Sequence, residues 1–410
     1  MNVVGILVFV VTYLLISARR LQLLGLDRPA GALVGAVACV ALGVLTPAQA
    51  LDAVDGSTLL LLFGVMGMGA FLERDGFFEQ VERRLVARAR TPAGLLGRIV
   101  WGAGGLSALI TNDAVCVLGA PLVVRVIRTH RLPPLPFLLA LATAANTGSV
   151  ATLVGNPQNM LCGMLGGLSY REHLIWMGPV ALMGLALNHA LLLAMFRRDL
   201  REASLKASLE ARPLAGSVKT TLGVIVGCGA IYAAGGHLAW TAVAGFVLLM
   251  LLHRRDTSAL WPCIDWAVML FFGALFVVVA GFEESGVPRL LFERFPLDLE
   301  AAGVASWLRL SGIFLVGSNL VSNVPFILIV REQVAVLPHP KLGWELLAMA
   351  STFAGNLTLL GSVANIIVAE AARDLGGIGF WPYLRVGLPL AVATTLMGVL
   401  WLAWVMAMAG

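Results

Sequence analysis

Asp113 follows Ile110-Thr111-Asn112 and precedes an apolar run, in a chain where charged residues make up only 12%. A carboxylate at membrane depth costs roughly 2.5–3.5 kcal/mol and usually serves a function. Asp113 fits either a proton acceptor or a ligand for Na⁺, and as the start of an arm from Ala114 it would also cap free amides. Elsewhere the chain offers neutral oxygens. Ala142–Cys162 carries Asn146, Thr147, Ser149, Thr152, Asn156, Gln158 and Asn159, with Gly155 and Pro157 between them. A later stretch carries Asn356, Thr358, Gly361, Ser362 and Asn365. At the break of a membrane helix, freed carbonyls and Asn or Thr oxygens suit Na⁺. The first amides of the next half-helix, at its positive end, suit an anion. The expected ligands are therefore these residues together with Thr111, Asn112, Ser322 and Asn323, and Na⁺ is expected near Asn112, Asp113, Gly155 and Asn156. One such polar residue alone would equally well serve to hydrogen-bond a neighbouring helix. The repeated clusters are what argue for a site.

The elements that must hold these groups are transmembrane helices. Hydrophobic residues are 59% of the 410, and apolar runs recur from end to end at about the length a bilayer core demands. The expected fold is all-α and polytopic, with spans near 2–17, 29–48, 56–73, 136–169, 174–196, 219–235, 238–253, 265–282, 345–370 and 382–409. Those at 136–169 and 345–370 are expected to be broken, because polar irregular backbone survives in lipid only where it lines a protein-walled cavity. Pro157 is expected to free carbonyls at the first break. Two further stretches, 95–127 and 303–330, are split by Thr111-Asn112-Asp113 and Ser322-Asn323. The arm after the first split is expected to be about 11 residues, roughly 17 Å, too short to cross, so both stretches read as re-entrant hairpins with polar tips. Leu72–Arg90 reads as an interfacial helix, and Phe282–Phe295 as its shorter counterpart.

Charge orients this layout. With the N-terminus outside, only Arg171, Arg289, Arg294, Arg309, Arg331 and Lys341 of the 28 Lys and Arg residues fall on the outer side, a strong positive-inside bias. Asn2–Ser17 reads as a first span, since no basic residue precedes it while Arg19 and Arg20 follow. Residues 197–217 are expected to be a cytoplasmic linker between a first half, 1–196, and a second, 218–410. The pI of about 9.2 reflects short basic loops, so no nucleic-acid partner is expected. Five cysteines stand singly, without metal-ligand spacing. His189 beside Asn188 reads as a packing histidine, Glu73 and Glu283 as interfacial anchors, Glu370 as a span end, and Arg309 as an anion attractor or a snorkelling residue. No nucleophile–base or nucleotide-binding motif appears, so the chain is expected not to be an enzyme and to need no cofactor beyond a coupling ion.

The halves match at a spacing of about 210 residues. Asp55…Phe63-Gly64…Phe71 parallels Asp265…Phe272-Gly273…Phe282, the tip Leu109–Asp113 parallels Leu320–Val324, and Thr152–Asn159 parallels Thr358–Asn365. Asn146 pairs with Asn356 if four residues are dropped. Five crossings per half is an odd number, so the second copy must be inverted, the arrangement of secondary transporters with a midplane site. Asp113 has Val324 as its counterpart, so the two sites cannot be chemically symmetric.

The stretches Ile110–Pro121 (ITNDAVCVLGAP), Gly155–Asn159 (GNPQN), Ser322–Pro325 (SNVP) and Gly355–Glu370 (GNLTLLGSVANIIVAE) resemble the ion-transporter superfamily of arsenite permeases, citrate permeases and divalent-anion:sodium symporters. The likeness is strongest to bacterial anion permeases of the arsenite-permease branch. It implies a scaffold domain and an elevator-like transport domain of two hairpins and two broken helices. In the symporter branch each tip carries Ser-Asn-Thr. Thr111-Asn112 and Ser322-Asn323 match its first two positions, while Asp113 and Val324 depart from the third. The expected function is Na⁺- or H⁺-coupled transport of a small inorganic or carboxylate anion across the inner membrane, with both termini periplasmic and a homodimer as the assembly the symporters suggest. Proton-coupled efflux of arsenite or antimonite, cation/proton exchange at Asp113, and a channel are the alternatives.

Overall fold

A computed structural model describes residues 2–17, 26–205, 214–254, 256–297 and 303–409. Arg19, Arg20, Arg255 and the linker residues Lys206 to Arg212 lie outside them. Among the described residues the structure is helical, with short 3₁₀ turns and no strand. The first half runs α1 (Val3–Ser17), α2 (Arg28–Ala41), α3 (Pro47–Asp52), α4 (Gly56–Arg74), α5 (Phe77–Arg88), α6 (Pro92–Ser107), α7 (Asn112–His130), α8 (Pro134–Ser149), α9 (Pro157–Leu165), α10 (Tyr170–Met195) and α11 (Arg197–Glu202). The second runs α12 (Gly216–Ala233), α13 (Leu238–His253), α14 (Trp266–Glu283), α15 (Val287–Arg294), α16 (Val304–Val321), α17 (Asn323–Ala335), α18 (Pro340–Leu357), α19 (Val363–Ala371) and α20 (Phe380–Ala409). Helices α4, α10, α12, α14, α16 and α20 are long and apolar enough to cross a membrane; α1, α2 and α13 are apolar but shorter.

Local chemistry sets the boundaries. Thr46 and Gln49 form a reciprocal capping box on α3, and Asp27, Asp55 and Thr91 accept the first free amides of α2, α4 and α6. Both broken helices begin on a proline, Pro134 and Pro340, whose missing N–H costs nothing at the first helical position. They start earlier than the expected 136 and 345 for that reason. The turns after α4 and α14 each pass through a left-handed glycine, Gly76 and Gly286, with φ of 68° and 75°, a conformation only glycine adopts without strain.

Two expectations change. The second arm of the first hairpin has 19 residues, about 28 Å, rather than about 11. The helical pattern carries past Arg125 and Arg128 until Arg131 takes a left-handed cap. The end of the apolar run was not the end of the helix. Likewise α16, read as a hairpin arm, has 18 residues, enough to cross.

Packing follows the same scheme twice. Helix α4 packs on α13 as α14 does on α2, α6 on α8 as α16 on α18, and α7 on α8 as α17 on α18. Helices α8 and α18 pack against each other at the centre, as do α10 and α20. Residues 136–149 of α8 and 342–356 of α18 are buried without interruption, so their polar groups must find partners inside the protein. The α6–α8 crossing is close: a Cβ on Gly148 would lie 2.2 Å from the Gly104 carbonyl oxygen.

Candidate functional site

The first hairpin tip is laced to the first break. Thr111 caps α7 by accepting from the Ala114 N–H at 3.3 Å, so Thr111 rather than Asp113 supplies the cap. The Asn112 N–H donates to the Gly155 carbonyl at 2.9 Å, and the Thr152 hydroxyl donates to the Ala108 carbonyl at 2.7 Å. The break itself, residues 150–156, is wholly buried. Pro157 does not disrupt a helix there. It starts α9, capped by Asn156, which accepts from the Asn159 N–H at 2.8 Å. The Asn159 amide in turn donates to the carbonyls of Ser149 and Thr152, at 3.1 and 3.0 Å.

The second half repeats this pattern. Ser362 caps α19, accepting from the Ala364 N–H at 3.2 Å, and the Asn365 amide donates to the carbonyls of Gly355 and Thr358, at 2.7 and 3.2 Å. The Asn323 amide reaches the Gly361 carbonyl at 3.4 Å, and Asn319 bonds Thr358 at 3.1 Å. Around this break the seal is looser: Leu360 is 59% exposed, against complete burial of the first break.

One side chain joins the halves. Asn146 accepts from Asn112 Nδ2 at 2.9 Å and Ser362 Oγ at 3.1 Å, and donates to Asn356 Oδ1 at 3.1 Å and Asn365 Oδ1 at 2.9 Å. Two donors and two acceptor sites are all an amide has; every one is used. Thr352 makes the reciprocal link, accepting from Asn156 Nδ2 at 3.0 Å and donating to Asn159 Oδ1 at 2.9 Å. By these bonds the counterpart of Asn146 is Thr352, with no residues dropped. Asn356 is its partner instead, and it also donates to Thr147 Oγ1 at 2.9 Å.

Two acceptors in this network lack a donor. Asn112 Oδ1 and Asn323 Oδ1, one at each tip, are buried and unbonded. Leaving such an oxygen without a partner costs roughly 1–3 kcal/mol, so each is a place where a cation or a hydroxyl-bearing ligand would be welcome. Asp113 faces a cavity of about 140 Å³ shared with Glu73, Asp265, Thr111 and Pro157. Among the described residues, three carboxylates and no Lys, Arg or His line that cavity.

The remaining ionisable residues fall elsewhere. His189 lies 3.4 Å from Trp101, Glu370 and Arg309 are exposed, and Glu283 pairs with Arg331 of α17 at 2.6 Å. Sequence reasoning missed Thr352, Asn319 and a buried pair, His173 and Glu345, whose Nδ1 and Oε2 lie 2.6 Å apart. Thr352 was detectable as the residue in register with Asn146. Glu345 was hidden because it stood at the expected end of a span.

The sequence profile of the citrate transporter family (CitMHS) matches residues 12–354, most of the chain. The chain belongs to that family. Silicon efflux transporter LSI3 of Oryza sativa subsp. japonica is 30% identical over 97% of this citrate-transporter-family chain and 96% of its own length. Putative transporter arsB of Dictyostelium discoideum is 25% identical, covering 96% and 91%. In structure, the family member is similar to the YdaH transporter of Alcanivorax borkumensis, with a TM-score of 0.56 at 16% identity and 98% of both chains covered. The chain is thus a membrane transporter of the citrate-transporter and arsenite-permease type, not an enzyme.

Proposed function

We propose that this protein is a secondary active transporter in which Na⁺ or H⁺ binds at Asp113 and drives a small solute through the interface between two inverted halves. The observation that carries this reading is the pair of unbonded, buried amide oxygens of Asn112 and Asn323 at the two tips. Acceptors of that kind hold a cation or a hydroxyl donor, and Gly155, Asn156, Gly361 and Ser362 stand beside them at the breaks. The recurring packing of α6–α10 and α16–α20 supports the two helix pairs α6–α7 and α16–α17 and the two broken helices moving together against α1, α2, α4, α12, α13 and α14, as in an elevator. The sequence orientation supports an inner-membrane protein with both termini periplasmic and the halves 1–196 and 218–410 joined by the linker 197–217; a homodimer rests on the resemblance to the symporters alone.

For the solute, a small inorganic or carboxylate anion would rest on the amides that begin α9 and α19. A second reading has a specific observation in its favour. Among the described residues, the cavity bearing Asp113 is lined by three carboxylates and no basic residue, which repels anions and admits neutral hydroxylated solutes such as arsenous acid. The relative named for silicon efflux argues the same way, for efflux, with proton coupling at Asp113 as its proposed drive. The test is a thermal-shift screen of the purified protein with NaCl against choline chloride, and with citrate and arsenite, at several pH values, repeated with Asp113→Asn. A Na⁺ or pH response that the variant loses supports coupling at Asp113; an unchanged response in the variant removes Asp113 from the mechanism. Stabilisation by citrate over arsenite would favour the anion, and the reverse the neutral solute.

A further inference from the structure

The two breaks are closed to different degrees, and the more closed one is met by two residues that neither the network nor the coupling reading uses. His173, in the first turn of α10, sets Nε2 3.1 Å from the Val150 carbonyl, where the first break begins. A carbonyl only accepts, so Nε2 carries a proton. Its Nδ1 faces Glu345 Oε2 at 2.6 Å, with the two side chains 0% and 2% exposed, so a single proton lies between ring and carboxyl. The pair thereby ties α10, α18 and the break together.

Among the described residues the second half has no such tie. The place of His173, three residues into α10, belongs three residues into α20 to Tyr383. The place of Glu345, five residues after Pro340, belongs to Leu139, five after Pro134. Tyr383 is fully buried and its hydroxyl has no hydrogen-bond partner. The adjoining tip is also under backbone strain: Ser322 has φ of 75° and caps nothing, whereas Thr111 caps α7 with ordinary geometry. A non-glycine residue held left-handed at a functional tip stores free energy that a rearrangement can release.

We propose that His173 and Glu345 are positioning residues that lock the first break shut, and that the second break, built without the lock, is the one that opens. This goes beyond the coupling reading and does not need it.

Amide hydrogen exchange on the full chain, purified in lipid–detergent micelles, tests it. In the wild type, residues 150–156 are expected to exchange more slowly than 357–363. Glu345→Leu is expected to speed exchange in 150–156 by about tenfold, the loss of one charge-assisted hydrogen bond. Glu345→Gln, whose amide can donate to Nδ1, is expected to restore protection, which a merely space-filling role would not predict. The proposal is overturned if the two wild-type breaks exchange alike, if Glu345→Leu leaves 150–156 protected, or if Glu345→Gln fails where it folds. Should Glu345→Leu not fold, the wild-type comparison and His173→Phe, expected to loosen the same segment, still decide. Asp113→Asn is expected to leave exchange in 150–156 unchanged, so failure of the lock and failure of the coupling reading are told apart.

Discussion

Replacing Asn146 by alanine should be among the most damaging single changes in the chain. Its amide makes four hydrogen bonds, to Asn112, Ser362, Asn356 and Asn365. Side-chain hydrogen bonds inside membrane proteins average about 0.6 kcal/mol by double-mutant cycles, so four give about 2.4 kcal/mol. The value for a typical hydrogen bond in a folded protein, about 1 kcal/mol each, raises that to about 4. The expected loss is therefore about 2–4 kcal/mol, most of it from buried groups left without partners. Reversible unfolding in mixed micelles by a denaturing detergent reads the difference, with Asn188→Ala as the control, since Asn188 shares its two bonds with a single side chain, Thr143. In a cycle with Asn365→Ala the double variant is expected to lose less than the sum of the two single losses, by at least about 0.5 kcal/mol. A loss at Asn146 no larger than at Asn188, or strict additivity with Asn365, would refute the claim that this amide joins the halves.

Other outcomes follow from single contacts. Gly148→Ala puts a Cβ 2.2 Å from a backbone oxygen of α6, where no side chain can yield; it should cost at least about 1–3 kcal/mol, read as lost folded yield. Ser322→Gly should stabilise by about 1–2 kcal/mol, the relief of its left-handed φ, seen as a raised unfolding temperature. Arg331→Ala breaks the half-buried pair with Glu283 that ties α17 to α14. It should lower stability by about 1 kcal/mol and make an engineered cysteine beside the second tip more reactive to a membrane-impermeant thiol reagent.

Much of this was written plainly in the sequence. Clusters of Asn, Thr and Ser in apolar surroundings mark the breaks because lipid leaves such groups no other reason to persist; of the two tips, Thr111 and Ser322 stand at the helix junctions, while Asn112, Asp113 and Asn323 already belong to the helices that follow. What failed were boundaries and partners. The apolar run ended near residue 127, but α7 continues to His130, because long basic side chains can reach the interface from a helix still in the bilayer. The Asn146–Asn356 pairing was guessed from residue identity, whereas register pairs Asn146 with Thr352. Chemistry is conserved between halves by position more than by residue type. His173 and Glu345 were invisible because a lone acid near a span end reads as an anchor until another helix is seen to meet it.

The bond from Asn146 to Asn356 spans 210 residues of chain. At a synthesis rate of about 5–20 residues per second, the first broken helix emerges roughly 10–40 seconds before the helix that satisfies it. During that interval a polar break waits in or beside the bilayer with both N–H donors of its central amide unanswered. The newborn first half therefore needs a holding place, whether the lateral gate of the insertion machinery or a membrane chaperone. Variants that slow translation across the linker should raise its exposure to membrane proteases without changing the finished protein.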